Sequence, residues 1–204
     1  MSPAYDYDLI SSFPTVARDL IDIRQCNWIQ SDKYIKKAVY GYIECTVTIN
    51  NDVKVSPIIY EDEEVNLSTP VGSWNTYLTK GEVDFIYKWG IGHVVIRDGW
   101  WAVPKDDIKH KPLGIAMQGL LSYKEHDNKL VRELSKRISV GVYGKFGEEH
   151  EDEFGKYFNS CYFAEISSQV RIQVAEFIYE HGVQDNLIHV SVDGVLLDKE
   201  VIND

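Results

Sequence analysis

The chain has 204 residues, of which 44% are hydrophobic and 12% aromatic, and it carries a formal net charge of −11. This composition fits one compact domain with a sizeable core and excludes a disordered tail. No apolar run is long enough to span a bilayer and the N-terminus lacks the features of a signal peptide, so we expect a soluble cytoplasmic protein without a membrane partner.

The charge is unevenly distributed along the chain. Acidic residues cluster at 61–64 and 148–153, whereas residues 124–145 are net basic. The overall charge argues against a simple nucleic-acid binder with a basic surface. The three cysteines are scattered and form no CxxC pair, which argues against both a disulfide framework and a zinc site.

The N-terminal segment predicts a strand followed by a helix. Residues 4–9 form the strand, which ends at Asp8. Ser12 can cap the following helix, and Pro14 is placed early in it, where a missing N–H costs little.

The next segment is rich in Val, Ile, Thr and Tyr. Residues 38–49 and 53–60 flank Asn50-Asn51-Asp52 and predict a hairpin. The polar stretch 61–76, which contains proline and glycine, predicts a loop.

A helix and two strands are predicted next. Thr79 can cap a helix over residues 80–89, which ends at a glycine. Residues 93–97 and 100–103 predict two strands that are joined by a turn at Asp98-Gly99.

Residues 112–141 predict a mainly helical region. One apolar stripe recurs every four residues, at Leu130, Leu134 and Ile138. A second, largely basic set recurs at multiples of about four on a different face: Lys124, Arg132, Lys136 and Tyr143.

The C-terminal region predicts a helix over the apolar positions 166–177, ended by Gly182, and then a hairpin over residues 187–197. Alternation puts three side chains on the buried face: Ile188, Val190 and Val192. It puts three on the opposite face: His189, Ser191 and Asp193. Asp193-Gly194 is a strong two-residue hairpin signal.

Strands joined by hairpins, with helices that do not form regular βαβ units, indicate an α+β fold. We expect an antiparallel sheet covered on one face by helices.

Two aspartates are candidates for metal binding. Asp8 lies where a strand gives way to a helix, and Asp193 lies at a hairpin tip. On neighbouring strands, their carboxylates could hold two divalent cations about 3.5–4 Å apart. Alternatively, Asp8 only favours the helix N-terminus and Asp193 only forms a type I′ turn.

The basic helix face is a candidate site for a triphosphate. Lys124, Arg132 and Lys136 present cations that suit phosphate oxygens. The alternative is an ordinary solvated helix face, paired with Glu125 and Glu133.

Together these segments resemble the polymerase core of family B DNA polymerases, in the protein-primed branch found in phages and linear plasmids. Residues 8–14 resemble the first motif, D-x-x-S-L-Y-P, and residues 136–144 the second, K-x-x-x-N-S-x-Y-G. Residues 189–195 resemble the third, Y-x-D-T-D-S-I. The segment 76–79 and the Tyr123-Lys124 pair, which lies twelve residues before Lys136, also match the family's spacing. The resemblance therefore covers nearly the whole chain.

The resemblance implies a two-metal nucleotidyl transfer at a palm domain. Asp8 and Asp193 would be the catalytic carboxylates, with Mg²⁺ or Mn²⁺ as cofactor. The partners would be a DNA primer-template and a dNTP, with a terminal protein primer or a second polymerase subunit as further candidates. The residues implied in nucleotide binding are Ser11, Ser12, Phe13, Lys124, Arg132, Lys136 and Tyr143.

Within that family, Phe13 stands where the tyrosine excludes a ribose 2′-OH, and Tyr143 would line the nascent base-pair pocket. The implied domains are a first palm part at 1–111, a helical fingers insertion at 112–145 and a second palm part at 146–204. We expect a core without exonuclease and thumb, which would grip duplex DNA weakly.

The chain also departs from the family's motifs. Ser191 replaces the first aspartate of the third motif and His189 its tyrosine, while Val140 and Gly141 replace the Asn-Ser of the second. An inactive palm descendant that binds nucleic acid or a replication protein is therefore the alternative function. An unrelated α+β domain with chance motif matches is a third possibility.

Overall fold

The computed structural model describes residues 3–61, 67–107, 110–151 and 153–201, which include most of the acidic segments except 62–64 and Asp152. The helices are α1 (Ser12–Asp19), α2 (Lys80–Trp89), α3 (Gly114–Ser122), α4 (Lys129–Phe146) and α5 (Ser160–Glu180). The strands are β1 (Tyr5–Asp8), β2 (Cys26–Gln30), β3 (Tyr40–Ile49), β4 (Tyr60–Glu61), β5 (Leu67–Ser68), β6 (Gly72–Thr79), β7 (Gly92–Pro104), β8 (Glu149–His150), β9 (Glu153–Phe154), β10 (Leu187–Val190) and β11 (Gly194–Leu197). Short 3₁₀ turns lie at Ile23–Gln25, Tyr123–Glu125 and Gln184–Asn186.

A three-stranded sheet joins the two ends of the chain. Its order is β1-β11-β10, and both neighbouring pairs are antiparallel. The predicted strand ending at Asp8 and the C-terminal hairpin therefore lie side by side. The antiparallel sheets packed against helices confirm the predicted α+β class.

A four-stranded antiparallel sheet has the order β2-β7-β3-β6. The predicted hairpin of 38–49 with 53–60 is wrong, because β3 pairs with β6 and β7 instead. Val55 and Ile58 are buried in the core, so the apolar character of this segment reflects packing and not strand pairing. The predicted loop 61–76 is also too long, since β6 begins at Gly72.

Residues 92–104 form one continuous strand, so the predicted turn at Asp98-Gly99 is wrong. The register between β3 and β7 shifts at Glu44/Cys45, which leaves Arg97 as an extra residue. Asp-Gly is found in β-bulges as well as in turns, which is why the sequence suggested a turn here. Pairing with β3 on both sides of the bulge keeps the strand extended.

Helix α2 forms as predicted. Thr79 caps it with a complete capping box, in which Thr79 and Glu82 satisfy each other's backbone N–H groups. Gly90 ends it with a φ of 63°, a conformation that glycine adopts without steric cost.

The predicted helical region around 112–141 forms α3 and α4, but its apolar stripe does not pack into the core. Leu130, Leu134 and Ile138 are 65%, 50% and 54% exposed, whereas Ser135 and Ser139 are buried. Helix α4 contacts α1, α3 and α5, and its buried residues lie on the neighbouring face that carries Ser135 and Ser139. Periodicity reveals an apolar face but not whether a neighbour covers it.

Helix α5 connects two hydrophobic clusters, and Gly182 follows its end with a φ of 60°. Its first half packs in a cluster with α1 and α3, through Ile166 and Val170. Its second half, including Val174, packs in a larger cluster with α2 and the four-stranded sheet. Both sheets are thereby fixed to one helix.

The predicted faces of the C-terminal hairpin are wrong. Ile188, Val190 and Val192 are 54%, 41% and 63% exposed, whereas Val195 and Leu197 of β11 are buried. The register between β10 and β11 shifts between Leu187 and His189, which breaks the alternation on the edge strand.

Among the described residues, no helix is long and apolar enough to cross a membrane.

Candidate functional site

Asp8 and Asp193 meet at one end of the three-stranded sheet. Asp8 is paired with Gly194, the residue after Asp193. The backbone N–H of Leu9 donates to the carbonyl oxygen of Asp193 at 2.8 Å. The acidic ends of two neighbouring strands therefore lie together, as the sequence predicts, and a shared cation site at this place stays a prediction.

The position of Gly194 keeps the two aspartates close. A Cβ atom at this residue would lie 2.9 Å from Asp8 Oδ1 and 2.9 Å from the Tyr7 carbonyl oxygen. Gly194 does not have a positive φ, so its role is to leave space and not to form a special turn. The hairpin loop itself is Val192-Asp193, because the N–H of Ser191 donates to the carbonyl oxygen of Gly194 at 2.9 Å.

The N-terminus of α1 lies beside this pair. The hydroxyl of Ser12 donates to Asp193 Oδ2 at 3.4 Å. The helix cap is Ser11, without a side-chain cap bond, so the predicted Ser12 cap is wrong by one residue. Ser12 is the first residue of the helix itself, and its hydroxyl is directed at the Asp193 carboxylate of the hairpin.

Ser11 adopts a left-handed conformation with a φ of 59°. This conformation costs a non-glycine residue roughly 1–2 kcal/mol, and such strain is often found at functional sites. The Lys124 ammonium donates to the Ser11 hydroxyl. The strained residue Ser11 therefore also joins the N-terminus of α1 to the turn at Tyr123–Glu125, which carries Lys124.

Two of the predicted cations lie near each other. Burial lowers the pKa of Lys124, and the positive charge of Lys136 lowers it further. Two like charges held close together favour a bound anion, since an anion removes their repulsion. The N-terminus of α1, with its unsatisfied N–H groups, adds to the positive potential.

Arg132 has a different environment. Its Nη1 donates to the carbonyl oxygens of His126 and Asp127, at 2.6 and 3.0 Å. The guanidinium therefore ties α4 to the turn that precedes it, and that turn follows directly on Lys124. Its role as a phosphate ligand stays a prediction.

Phe13 and Tyr143 form part of an aromatic row. Their ring centroids are 4.7 Å apart, and Phe163 of α5 stacks on Tyr143 at 4.8 Å. The Tyr143 hydroxyl lies 2.9 Å from Ser167 Oγ. Sequence reasoning missed Phe163 and Ser167, although their spacing of four residues on a helix places them on one face.

A cavity of about 700 Å³ lies beside this aromatic row. Its wall includes Phe13, Tyr143, Arg171, Ser191 and Val192. The aspartates line a separate cavity of about 140 Å³ with residues of β1, α5 and β11. The hairpin loop lies between the two spaces, with Ser191 and Val192 on one side and Asp193 on the other.

The donor set suits a hard divalent cation. The oxygens available are the carboxylates of Asp8 and Asp193 and the hydroxyl of Ser12, and Mg²⁺ is often held by one or two carboxylates together with substrate phosphates. Within the described part of the chain, no group of three or more His, Cys, Asp or Glu side chains converges. A two-carboxylate site would therefore depend on phosphate oxygens to complete the coordination.

No protein-family model matches this chain. No curated protein matches it either. Among solved structures, it is similar to the ternary complex of Phi29 DNA polymerase with primer-template DNA and incoming nucleotide substrates, with a TM-score of 0.71, 12% identity, and coverage of 98% of this chain and 39% of that chain. The orthorhombic crystal form of Phi29 DNA polymerase gives a TM-score of 0.68 at 10% identity and covers 100% of this chain and 40% of that chain.

A further Phi29 DNA polymerase structure, the post-translocation binary complex with primer-template DNA, has a TM-score of 0.69, 13% identity, and coverage of 98% of this chain and 39% of that chain. The chain thus spans about two fifths of the length of these polymerases. At this low identity, the similarity establishes a shared fold.

Proposed function

We propose that this chain is the palm-and-fingers core of a template-directed DNA polymerase, which transfers a nucleotidyl group from a dNTP to a primer hydroxyl. The observation that carries the proposal is the convergence of Asp8 and Asp193 at the ends of β1 and β11. It occurs in a fold similar to that of Phi29 DNA polymerase. The palm would comprise residues 1–111 and 146–204, and the fingers 112–145.

The proposed partners follow from the similar structures. Phi29 DNA polymerase is seen with primer-template DNA and incoming nucleotides, so we propose the same ligand classes here. A terminal protein that offers a primer hydroxyl, or a second polymerase subunit, would be compatible with this chemistry.

Asp8 and Asp193 would hold Mg²⁺ or Mn²⁺. When bound, such cations neutralise phosphate charge and align the attacking and leaving oxygens. The chain's own contribution is positioning: the β1–β11 pairing fixes both backbones, and the Ser12 hydroxyl orients Asp193. Positioning and charge neutralisation are the main requirements of phosphoryl transfer, in which the protein performs little covalent chemistry.

The triphosphate would bind between α1 and α4. Lys124 and Lys136 would pair with its oxygens, and the N–H groups at the start of α1 would add hydrogen bonds. Ser11, which accepts from Lys124, would release that lysine when phosphate arrives. Arg132 would hold the turn at His126 and Asp127, which follows Lys124.

The base and sugar would lie against Phe13 and Tyr143. The Phe13 ring would occupy the space that a ribose 2′-OH needs. Tyr143 is held by its stacking on Phe163 and its contact with Ser167. Base–aromatic contacts of this kind tolerate any sequence, because every base has a π-face.

Primer extension tests the proposal directly. We expect the chain to extend a DNA primer or a hydroxyl-bearing protein primer with dNTPs and Mg²⁺ or Mn²⁺. Asp8→Asn and Asp193→Asn should each lower the rate more than about 100-fold, since even outer-shell partners of metal ligands contribute 10–100-fold.

Asp6→Asn is the matched control, because Asp6 is exposed on the same strand and pairs with Leu196, away from the hairpin loop. It should leave the rate unchanged. Absence of incorporation by the unaltered chain with either cation, or incorporation that survives both aspartate substitutions, would contradict the proposal.

A second candidate is an inactive palm descendant that binds nucleic acid or a replication protein. The observation that favours it is Ser191, a hydroxyl at the position of the third motif's first aspartate, where a carboxylate would strengthen cation binding. Calorimetry separates the two candidates. Metal-dependent dNTP binding supports the polymerase, whereas binding of primer-template without any metal-dependent nucleotide binding supports the second candidate.

A further inference from the structure

Helix α5 supplies a hydroxyl group that contacts the proposed nucleotide site. Ser167 lies one turn after Phe163, and its hydroxyl donates to the Phe163 carbonyl oxygen at 2.7 Å. The same Ser167 oxygen lies 2.9 Å from the Tyr143 hydroxyl. Ser167 is half-buried and lines the cavity of about 700 Å³ together with Phe13 and Tyr143. None of the three family motifs in the sequence includes Ser167.

The direction of these two hydrogen bonds follows from the number of protons. A serine hydroxyl has one proton to donate and can accept two. The Ser167 proton is donated to the Phe163 carbonyl, so the Tyr143 hydroxyl is the donor in the bond to Ser167. Ser167 therefore accepts the only proton of the Tyr143 hydroxyl and fixes the direction of that O–H bond.

Two contacts from α5 together hold the Tyr143 side chain. Phe163 stacks on the Tyr143 ring with an interplanar angle of 10°, and Ser167 binds the hydroxyl. Stacked rings are attracted over a range of offsets, whereas a hydrogen bond is directional. The stacking therefore fixes the plane of the Tyr143 ring, and the hydrogen bond fixes the position of the ring within that plane.

Phe13 in turn depends on Tyr143. The Phe13 ring packs on Tyr143 at an interplanar angle of 42°. Among the ring contacts of the described residues, this is the one that includes Phe13. A phenylalanine has no hydroxyl, so its ring is held by packing alone, unlike the tyrosine that the resembled family has at this position. A shift of Tyr143 would therefore leave the Phe13 ring free to move.

We propose that Ser167 is a positioning residue for sugar selection, because it holds Tyr143 and thereby keeps the Phe13 ring where a ribose 2′-OH would lie. The inference rests on the proposed function, in which Phe13 excludes ribonucleotides. Substrates are discriminated by the ratio of their kcat/KM values. A Phe13 ring that can move aside excludes ribose less strictly, so this ratio reports on Ser167.

Primer extension with dATP and with ATP tests the proposal, using the full chain, one primer-template and Mg²⁺ or Mn²⁺. Ser167→Ala keeps both aromatic rings and removes the acceptor of the Tyr143 proton. We expect the ratio of kcat/KM for dATP over ATP to fall about two- to tenfold, which corresponds to one hydrogen bond. The fall should come from a gain in kcat/KM for ATP, which general damage to the fold would not produce.

Two further variants examine the same hydrogen bond. Tyr143→Phe keeps the ring and loses the hydroxyl, so it should lower the dATP-to-ATP ratio by a similar factor. Combined with Ser167→Ala, it should cause no further fall, because both substitutions remove one shared interaction. Ser167→Thr keeps a hydroxyl that can bond to the preceding turn of the helix, and it should preserve the ratio.

Ser168→Ala is the matched control. The Ser168 hydroxyl also donates to a backbone carbonyl of α5, that of Glu165 at 3.2 Å. No described hydrogen bond joins it to Tyr143. The substitution removes a serine hydroxyl from the same turn of the helix, so it should leave the dATP-to-ATP ratio unchanged, whatever its effect on stability.

The outcomes separate this inference from the proposed function. Primer extension by the unaltered chain with a full dATP-to-ATP ratio in Ser167→Ala would overturn the role of Ser167 and leave the proposed function intact. An equal fall in Ser168→Ala would also overturn it, since the effect would then be a general one of α5. Absence of incorporation by the unaltered chain would contradict the proposed function and this inference together.

Discussion

Gly194 is the residue on which the proximity of the two aspartates depends. The close contacts at this position are with Asp8 Oδ1 and with the Tyr7 backbone carbonyl. A backbone atom cannot move aside as the end of a flexible side chain can. We therefore expect Gly194→Ala to separate β1 from the hairpin and to lower the free energy of unfolding by about 1–3 kcal/mol, as overpacking does.

Chemical denaturation measures this loss. Gly119→Ala is the control, because Gly119 lies inside α3 and a Cβ there would have no atom within 4 Å. That substitution should stabilise the chain by about 0.5–1 kcal/mol. Equal effects of the two substitutions on the free energy of unfolding would show that the close contacts at Gly194 do not prevent a larger side chain there.

The repulsion between Lys124 and Lys136 can be tested by measuring the pKa of the Lys124 side chain. Because the Lys136 charge lowers the pKa of Lys124, its removal by Lys136→Gln should raise that pKa toward the usual value. NMR titration of the lysine Cε and Nζ resonances measures the change. Lys129→Gln, at the exposed start of the same helix, should leave the pKa of Lys124 unaltered; an equal shift in both variants would contradict a specific pairing.

At the level of elements, helix α4 shows that an apolar stripe does not by itself identify a core face. Leu134 is 50% exposed, while Ile166 of α5 is fully buried. We expect Leu134→Gln to change the free energy of unfolding by no more than about 0.5 kcal/mol. Ile166→Ala should lower it by about 2–5 kcal/mol, because it leaves a cavity.

Paired denaturation curves of these two variants check the expectation. A large loss in Leu134→Gln would mean that the stripe is covered in solution by another copy or another molecule. In that case the loss should depend on protein concentration.

At the scale of the whole molecule, α5 is shared by both hydrophobic clusters, so we expect them to unfold together. All five tryptophans lie in β2, β6, α2 and β7, around the four-stranded sheet. Their fluorescence should therefore report on that sheet, and far-UV circular dichroism on the helices. Coincident transitions by the two probes would establish one cooperative unit, and separated transitions would contradict it.

The overall charge also has a consequence at this scale. A net charge of −11 works against binding to DNA phosphates, although the segment 124–145 is locally net basic. A surface with few cations releases few counterions, which produces weak binding with a shallow salt dependence.

Local physical chemistry allowed the sequence alone to predict several parts of this fold. The strand that ends at Asp8, the Thr79-capped helix α2 and the long helix before Gly182 follow from capping groups, glycine and periodicity, all of which act within a few residues. The motif order along the chain indicated the polymerase-like fold that the comparison with Phi29 DNA polymerase supports.

Only the tertiary structure decided which segments are neighbours. The pairing of β3 with β6 and β7, the exposure of Leu134 and the bulge beside Asp98 depend on long-range contacts that local patterns do not encode. The contacts of Tyr143 with Phe13 and Ser167 likewise exist only because α1, α4 and α5 meet there. Residue type and spacing specify which elements form, whereas burial and register, which decide how the elements pack, are properties of the assembled chain.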